Sequence, residues 1–583
     1  MRYTISVKRK NGGISMRIEA EDFRALASRS DDTLMLTEAV RRLRGGDTLV
    51  LSPRTYHFYP DYAFEYRKIS APFAEEQRCV FYLFRKKKIT IEGGGAELIF
   101  HGNVVPFCFI ECEDIAVSNL SVDFSSPFFA QAAIEEADER HVVLRFEESE
   151  TRCAVRNKGL VFYNRKDDWS RALGRVLALE YSAETGAPQA GQPTYFACFN
   201  DQHDDTFQSL NRRLKAEALR DGRVRLSGDF GFSHTVGNNW VCVFDTGLYH
   251  DFLCCESKNL SFSDIFVYCA PSKAFSALNC ENLSFERCRV TTREGSKRIL
   301  ATDAEGFFFR DCRGKIELCD CTAEKNMCNG VDVRTCLCDV QKAADEKSLY
   351  LRFGEGKGVF CGGDRVRLFS EDGSFDRMFT AESFETVSSS IVRLTLREFL
   401  PKNLPDGLLA ENFSESPDVS LIRCAIGNNR PYAVSILTRG KVRIRYCTLY
   451  SVYSALVLGG ATIPERIGGG VENAQIEKNR FFNCSYNGGF PVRLRGEKFF
   501  SENGAVSIEK NVFISSQRCF LSADTVGEIC FCDNVYCEDK TLARSVGAET
   551  VPFAVNDCER LRAEEPTEEN EKRHLRTEQE DAQ

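Results

Sequence analysis

The densest cluster of groups able to move protons lies in residues 301–334, ATDAEGFFFRDCRGKIELCDCTAEKNMCNGVDVR, which carry Asp303, Glu305, Asp311 and Asp332. Two carboxyl groups flanking a scissile bond, one protonated and one ionised, are what hydrolysis of a glycoside by general acid and general base requires. The bland reading is that these are solvated turn residues, as most surface carboxylates are. Histidine offers no competing arrangement. His57, His101, His141, His203, His234 and His250 precede the stretch, His574 lies near the end of the chain, and none falls between 251 and 573. A Ser-His-Asp or Cys-His centre would have to reach back to the N-terminal half.

Other chemistry-bearing patterns are weaker. His203-Asp204-Asp205 offers one imidazole and two carboxylates to a cation, and reads equally as a polar loop. Cys319 and Cys321, and Cys336 and Cys338, form two C-x-C pairs, which strand alternation places on one face without any zinc. Residues 354–358, GEGKG, lack the spacing and the Ser/Thr of a phosphate loop. Trp169, Trp240, Tyr249 and Tyr486 are the aromatics considered as sugar platforms, against the ordinary use of such rings in a core.

The elements that must position these groups come from a repeat. The phrase apolar, polar, apolar, two polar residues and then Gly, Cys or Asn recurs as ITIEGG (89–94), LSFERC (283–288), IELCDC (316–321), VRIRYC (442–447), VSIEKN (506–511) and ICFCDN (529–534). Aligned on Phe285, Leu318, Leu421, Ile444, Ile476, Ile508 and Phe531, several steps are 23 residues and others 32 or 33, with a long break between Leu318 and Leu421. A coil of about 23 residues that tolerates insertions is the signature of a parallel β-helix, because one short strand cannot bury its inward face alone. Cys288, Cys321, Cys424, Cys447, Asn479, Asn511 and Asn534 then stack at one bend. Residues about 23 apart face each other on neighbouring rungs, which pairs Glu305 with Cys328.

The fold expected is therefore all-β, a right-handed parallel β-helix with an N-terminal capping helix and inserted small β-domains. The helix is read at Ser30 to Leu43, with Leu34, Ala39, Val40 and Leu43 on one face behind acidic first-turn residues. The chain divides into a cap (1–58), first coils (59–130), an inserted β-domain (131–245), central coils with the candidate site (246–340), a second inserted β-domain (341–415), further coils (416–545), and an extension with a charged, disordered tail (546–583).

Composition fits this reading. At 43% hydrophobic and 28% charged the chain is a globular protein, and it holds 45 phenylalanines but only 2 tryptophans. A net charge of -9 argues against nucleic acid or an anionic membrane as partner. No apolar run spans a bilayer and the opening residues lack a signal-peptide core, so the expected location is cytoplasmic, with the 26 cysteines as reduced core residues.

The sequence also resembles a known family. TYHFYPDYAFEYRKIS (55–70), ITIEGGGAELIFHGNVVPF (89–107), NLSVDFSSP (119–127), TDAEGFFFRDCRGKI (302–316), LLAENFSESPDVSLIRC (408–424) and NNRPYAVSILTRGKVRI (428–444) keep the order and spacing of glycoside hydrolase family 110, the α-1,3-galactosidases, from about residue 20 to 540. The resemblance implies a β-helix with inserted β-domains and hydrolysis with inversion by carboxylates of the central stretch. The family aspartate that precedes an Asn-Cys-Arg-Gly-like segment falls on Glu305, with Asp303 two residues away and Asp311-Cys312-Arg313-Gly314 as the segment. The family's adjacent Asp-Asp pair falls on Cys328-Asn329, and its nearby His on Arg334. Neither Cys nor Asn is a good base for water, which leaves Asp332 as the partner for Glu305.

These readings give an exo-acting α-galactosidase that cleaves terminal α-1,3-linked galactose with inversion. Glu305, Asp303 and Asp332 are its catalytic candidates, Cys328, Asn329, Arg334 and Asp311 line the substrate site, and no metal or cofactor is needed. The expected partner is a galactose-containing oligosaccharide or glycan. Two alternatives stand beside it: a β-helix carbohydrate-binding protein whose catalytic pair has decayed, and a polysaccharide lyase using Arg334.

Overall fold

The computed structural model describes residues 6–568 outside the segments 11–12, 29, 68–75, 147–150, 165–168, 174, 200–207, 245–249, 354–359, 389, 451–452, 461–465, 497–502 and 543–550. Short strands recur and pair in parallel with their equivalents one coil on. Phe285 lies beside Leu318, Leu318 beside Leu421, and Leu421, Ile444, Ile476, Ile508 and Phe531 follow in file. These are the residues that the repeat aligns, so the chain is the parallel β-helix expected of it.

The interior explains the phenylalanine count. Phe81, Phe107, Phe252, Phe275 and Phe307 stack along the solenoid axis with ring centroids 4.3 to 4.9 Å apart. Parallel strands about 4.8 Å apart bring equivalent rings into contact, so one aromatic column serves five rungs.

The bend ladder is a second internal device. Residues just before it take left-handed backbone angles, Arg287, Asp320, Arg423, Tyr446, Lys478, Lys510 and Asp533 among them. After each comes the predicted Cys or Asn. Asn479, Asn511 and Asn534 each donate their side-chain amide to the carbonyl of a preceding rung, Ile444, Ile476 and Ile508 respectively. The Cys288, Cys321, Cys424 and Cys447 thiols make the equivalent bond to Phe262, Phe285, Leu318 and Leu421. The two residue types are interchangeable here because each offers a donor short enough to reach the same carbonyl.

The helix is shorter than read from sequence. Helix α1, Thr33–Arg42, buries Met35, Leu36, Ala39 and Val40, with Leu43 beyond its end, whereas Leu34 is exposed. Its first turn holds no acidic residue, Asp31 and Asp32 lying before it. The buried stripe follows the side packed on the strand Glu76–Phe84, a tertiary choice that the apolar pattern alone left open.

Two closed barrels interrupt the coils. Seven strands between Phe129–Ala137 and Asn239–Val243 close the first, and six between Leu337–Ala343 and Leu409–Asn412 close the second. Coils continue past residue 545: Phe553–Ala563 and Thr567–Glu568 pair in parallel with Leu521–Cys532 and Val535–Glu538. Their polar composition read as an extension and tail, but an end rung needs only backbone partners on one side and exposes its other surface. Residues 569–583 lie outside the described residues, as do His203-Asp204-Asp205 and residues 354–358. Among the described residues no helix is long and apolar enough to cross a membrane.

The wall that carries the central carboxylates consists of five stacked strands: β1 Phe252–Cys255, β2 Phe275–Leu278, β3 Phe307–Arg310, β4 Val331–Arg334 and β5 Val434–Leu437. Alternation sends Phe307, Phe309, Val331 and Val333 into the core. The other set, Phe308, Arg310, Asp332 and Arg334, therefore faces outward.

Candidate active site

The register of β3 on β4 decides who meets whom. Phe307 pairs with Val331 and Phe308 with Asp332, an offset of 24 residues rather than 23. Glu305 consequently lies under Asn329, whose carbonyl accepts the Gly306 amide. The expected facing of Glu305 and Cys328 is corrected by one position, because the coil takes one more residue where Arg313–Ile316 bulges against Glu281–Leu283. Cys328 remains near enough for the Glu305 charge to act on it.

Glu305 and Asp332 converge on one cation. Arg334 lies 3.7 Å from Glu305 Oε1 and 3.6 Å from Asp332 Oδ1. Bridging by a single guanidinium keeps the two carboxyls within about 10 Å, a ceiling compatible with the roughly 6.5 to 9.5 Å that lets a water fit between acid and base. Lys273, on the rung below, places its ammonium 3.3 Å from Glu305 Oε2. The outward ring of Phe308 lies under both cations, with Lys273 Nζ 4.8 Å and Arg334 Cζ 4.7 Å from its centroid.

Asn329 orients the second carboxyl. Its amide nitrogen donates to Asp332 Oδ2 at 2.8 Å, and its carbonyl accepts the Tyr432 amide at 3.2 Å, which fixes the side chain from both ends. Glu305 is 7% exposed and Asp332 6%. Among the described residues Glu305 Oε2 and Asp332 Oδ1, both buried, accept no hydrogen bond and face only the Lys273 ammonium and the Arg334 guanidinium respectively. Burial raises the Asp332 pKa above the usual carboxylate range, and the Glu305 charge adds to the rise against the opposing pull of Arg334. Burial, with the Glu305 charge next, pushes the Cys328 thiol up to about 12, so at neutral pH it is no thiolate.

The groove is closed on several sides. Tyr66 and Cys79, from the antiparallel pair Phe64–Arg67 and Glu76–Phe84, pack with Leu253, Leu278 and Phe308 at one end. At the other end Ile467 bridges to Cys336 and packs on Leu437 and Val457. The outer face of the first barrel, through Tyr181, Val241 and Val243, rests on Leu300 and Met327. Beneath the site the coils touch so closely that a Cβ on Gly330 would sit 2.4 Å from Asn429 Nδ2.

Of the residues expected from sequence, Glu305, Asp332, Asn329, Arg334 and Cys328 are brought together. Asp311 turns to the neighbouring corner, where its Oδ1 accepts the Cys336 amide at 2.7 Å. Asp303 lies by the Cys242 and Cys269 thiols, whose ionisation its charge opposes. Trp240 is wholly buried in the first barrel and donates to the Tyr195 hydroxyl, and Tyr486 donates to the Pro188 carbonyl, so neither ring lies open as a platform. The Trp169 side chain and Tyr249 lie outside the described residues. Lys273 was missed, although it precedes Glu305 by 32 residues, one of the coil steps visible in the repeat.

Another buried carboxyl sits one rung before Lys273. Asp251 is fully buried, and among the described residues neither of its oxygens has a hydrogen-bond partner. Burial, with the nearby Asp123 charge adding, raises its pKa well above the ordinary value. Between those two values the folded chain holds a proton that the unfolded chain has lost. Stability therefore falls as pH rises across that window, by about 1.4 kcal/mol per unit. Asp251→Asn is expected to raise the urea midpoint at pH 8 and leave it unchanged near pH 4. An equal shift at both pH values would show that Asp251 is not held protonated.

Fold and site together define a parallel β-helix protein with two inserted barrels and paired, buried carboxyls on one outward wall of the coils. Residues 130–239, most of the first barrel, match the family model described as GLAA-B beta-barrel domain I. The sequence is 24% identical over 548 residues to alpha-1,3-galactosidase A of Bacteroides fragilis, covering 88% of this chain and 86% of that protein. It is 21% identical over 447 residues to alpha-1,3-galactosidase B of Bacteroides thetaiotaomicron, covering 75% of this chain and 70% of that one. Over most of its length the chain is thus similar to proteins named alpha-1,3-galactosidase. Among solved structures, the A-module of mannuronan C-5 epimerase AlgE4 from Azotobacter vinelandii aligns over 95% of this chain and 99% of its own, with a TM-score of 0.38 and 11% identity.

Proposed function

We propose that the protein is a glycoside hydrolase that removes terminal α-1,3-linked galactose, acting from the chain end and inverting the anomeric centre. The observation that carries this reading is the buried pair Glu305 and Asp332, joined through Arg334. The substrate class comes from the names of the curated relatives.

Asp332 is assigned as the general acid, because its burial keeps the proton that the leaving oxygen needs. Glu305, with Lys273 and Arg334 against it, is the carboxylate that takes a proton from water. Asn329 occupies one position of the family's acidic pair and acts by orienting Asp332. Water attack from the Glu305 side forms the new bond to the anomeric carbon as the glycosidic bond breaks, and the leaving oxygen takes the Asp332 proton.

The test is release of galactose from an α-1,3-linked galactobioside, followed by proton NMR from the first turnover. Galactose that appears first as the β-anomer supports the reading; the α-anomer first overturns inversion. A second reading, a glycan binder without hydrolysis, is favoured by the neutral Cys328 thiol and the Asn329 amide in place of two acids. Calorimetric binding of the galactobioside with no release would establish it.

A further inference from the structure

Far from the groove, on a different sheet of the solenoid, three possible metal ligands meet. Strand alternation turns Phe531 into the core and leaves Cys530 and Cys532 on the outer surface, where their sulfurs lie 3.5 Å apart. On the adjacent rung Glu509 pairs with Cys532, and its carboxylate is held by the Ser507 hydroxyl at 2.6 Å. The two sulfurs and a Glu509 oxygen all lie within 4.8 Å of one another. Cys532 is buried, while Cys530 and Glu509 are half-buried, so the group is shielded yet reachable.

The spacing suits a metal better than a disulfide. Residues two apart on a strand separate their Cα atoms by roughly 6.6 Å, at the far limit for a disulfide. In a tetrahedral site with metal–sulfur bonds of about 2.3 Å, the sulfur–sulfur edge is about 3.8 Å, which these thiols meet with a shift of a few tenths. Two thiolates and a carboxylate carry three negative charges to a divalent ion, and water completes the fourth position. Arg562 stands beside Cys530 on the following rung, but its guanidinium is drawn to Glu564 at 3.0 Å.

We propose that Cys530, Cys532 and Glu509 form a binding site for a thiophilic divalent cation of the zinc class. Such an ion ties two successive C-terminal coils together, because its ligands come from the strands Asn503–Glu509 and Leu521–Cys532. Binding displaces the thiol protons, and affinity falls as pH is lowered.

The experiment uses the full chain stripped with a chelator and dialysed against zinc, with bound metal measured by atomic emission. Wild-type protein is expected to retain one more equivalent than the Cys530→Ser/Cys532→Ser variant, and Glu509→Gln to bind that equivalent ten- to a hundredfold more weakly. Melting temperatures compared in chelator check that the variants fold, and in zinc only the wild type is expected to gain stability. Equal zinc content in wild type and double variant, or no zinc retained by either, overturns the proposal.

Discussion

Glu305→Gln and Asp332→Asn are each expected to lower galactose release by about 10²- to 10⁴-fold while leaving the fold intact, the range that a positioned acid or base contributes. Both changes keep size near constant and remove the proton chemistry together with the charge that faces Arg334 and, at Glu305, Lys273. In Asp332→Asn the Asn329 side chain can still donate to the oxygen of the new amide, whose nitrogen then takes the Oδ1 place that faces Arg334. The two variants differ in their pH profiles. Asp332 works protonated, and burial sets its pKa above the usual carboxylate range, so wild-type activity falls as pH rises through that raised value. Asp332→Asn is expected to abolish this alkaline limb together with most of the rate. Residual activity near wild type in either variant, with unchanged melting temperature, would remove that residue from the mechanism.

The largest stability loss is expected from Asn511→Ala. The Asn511 side chain accepts from the Asn479 backbone amide at 2.9 Å and donates to the Ile476 carbonyl at 2.9 Å, all inside the solenoid. Truncation leaves one buried donor and one buried acceptor unmet, at about 1–3 kcal/mol each. Because each coil contacts only its neighbours, the damage stays local. Hydrogen exchange should accelerate in the strands Asn473–Glu477 and Leu521–Cys532 and remain unchanged in Phe252–Cys255. Asn511→Cys is the informative comparison. Cys447 holds the same ladder position, its thiol donating to the Leu421 carbonyl and accepting from the Cys424 amide. About half of the loss should therefore be restored, in keeping with weaker sulfur hydrogen bonds. If Cys proved no better than Ala, the ladder would owe its stability to Asn chemistry alone.

Much of the fold is legible in the repeat because stacking demands alike residues at alike positions. Leu421, Ile444, Ile476 and Ile508 can be aligned without a structure, and so can the Cys and Asn that follow them. The carboxylates of the site are legible too, as the acidic stretch in a region without histidine. The errors were of register and direction. Glu305 stacks under Asn329 and not Cys328, since one extra residue at the Arg313–Ile316 bulge changes the coil from 23 to 24. Asp303 and Asp311 share the stretch but leave the groove, since near corners the simple alternation of a strand no longer says where a side chain points.

By itself the sequence determined the coil, the inward and outward sets along each strand, and the carboxyl groups from which a site could be made. Hydrophobic alternation and repeat length are local properties that survive without knowledge of the partner strand. Only the tertiary structure decided that Arg334 joins Glu305 to Asp332, that Lys273 stands below them, and that Tyr66 and Ile467 pack at the two ends of the groove. Those contacts join residues from separate coils and insertions. Their distances are set by how many residues each corner absorbs before the next strand pairs, which only strand pairing and core packing settle.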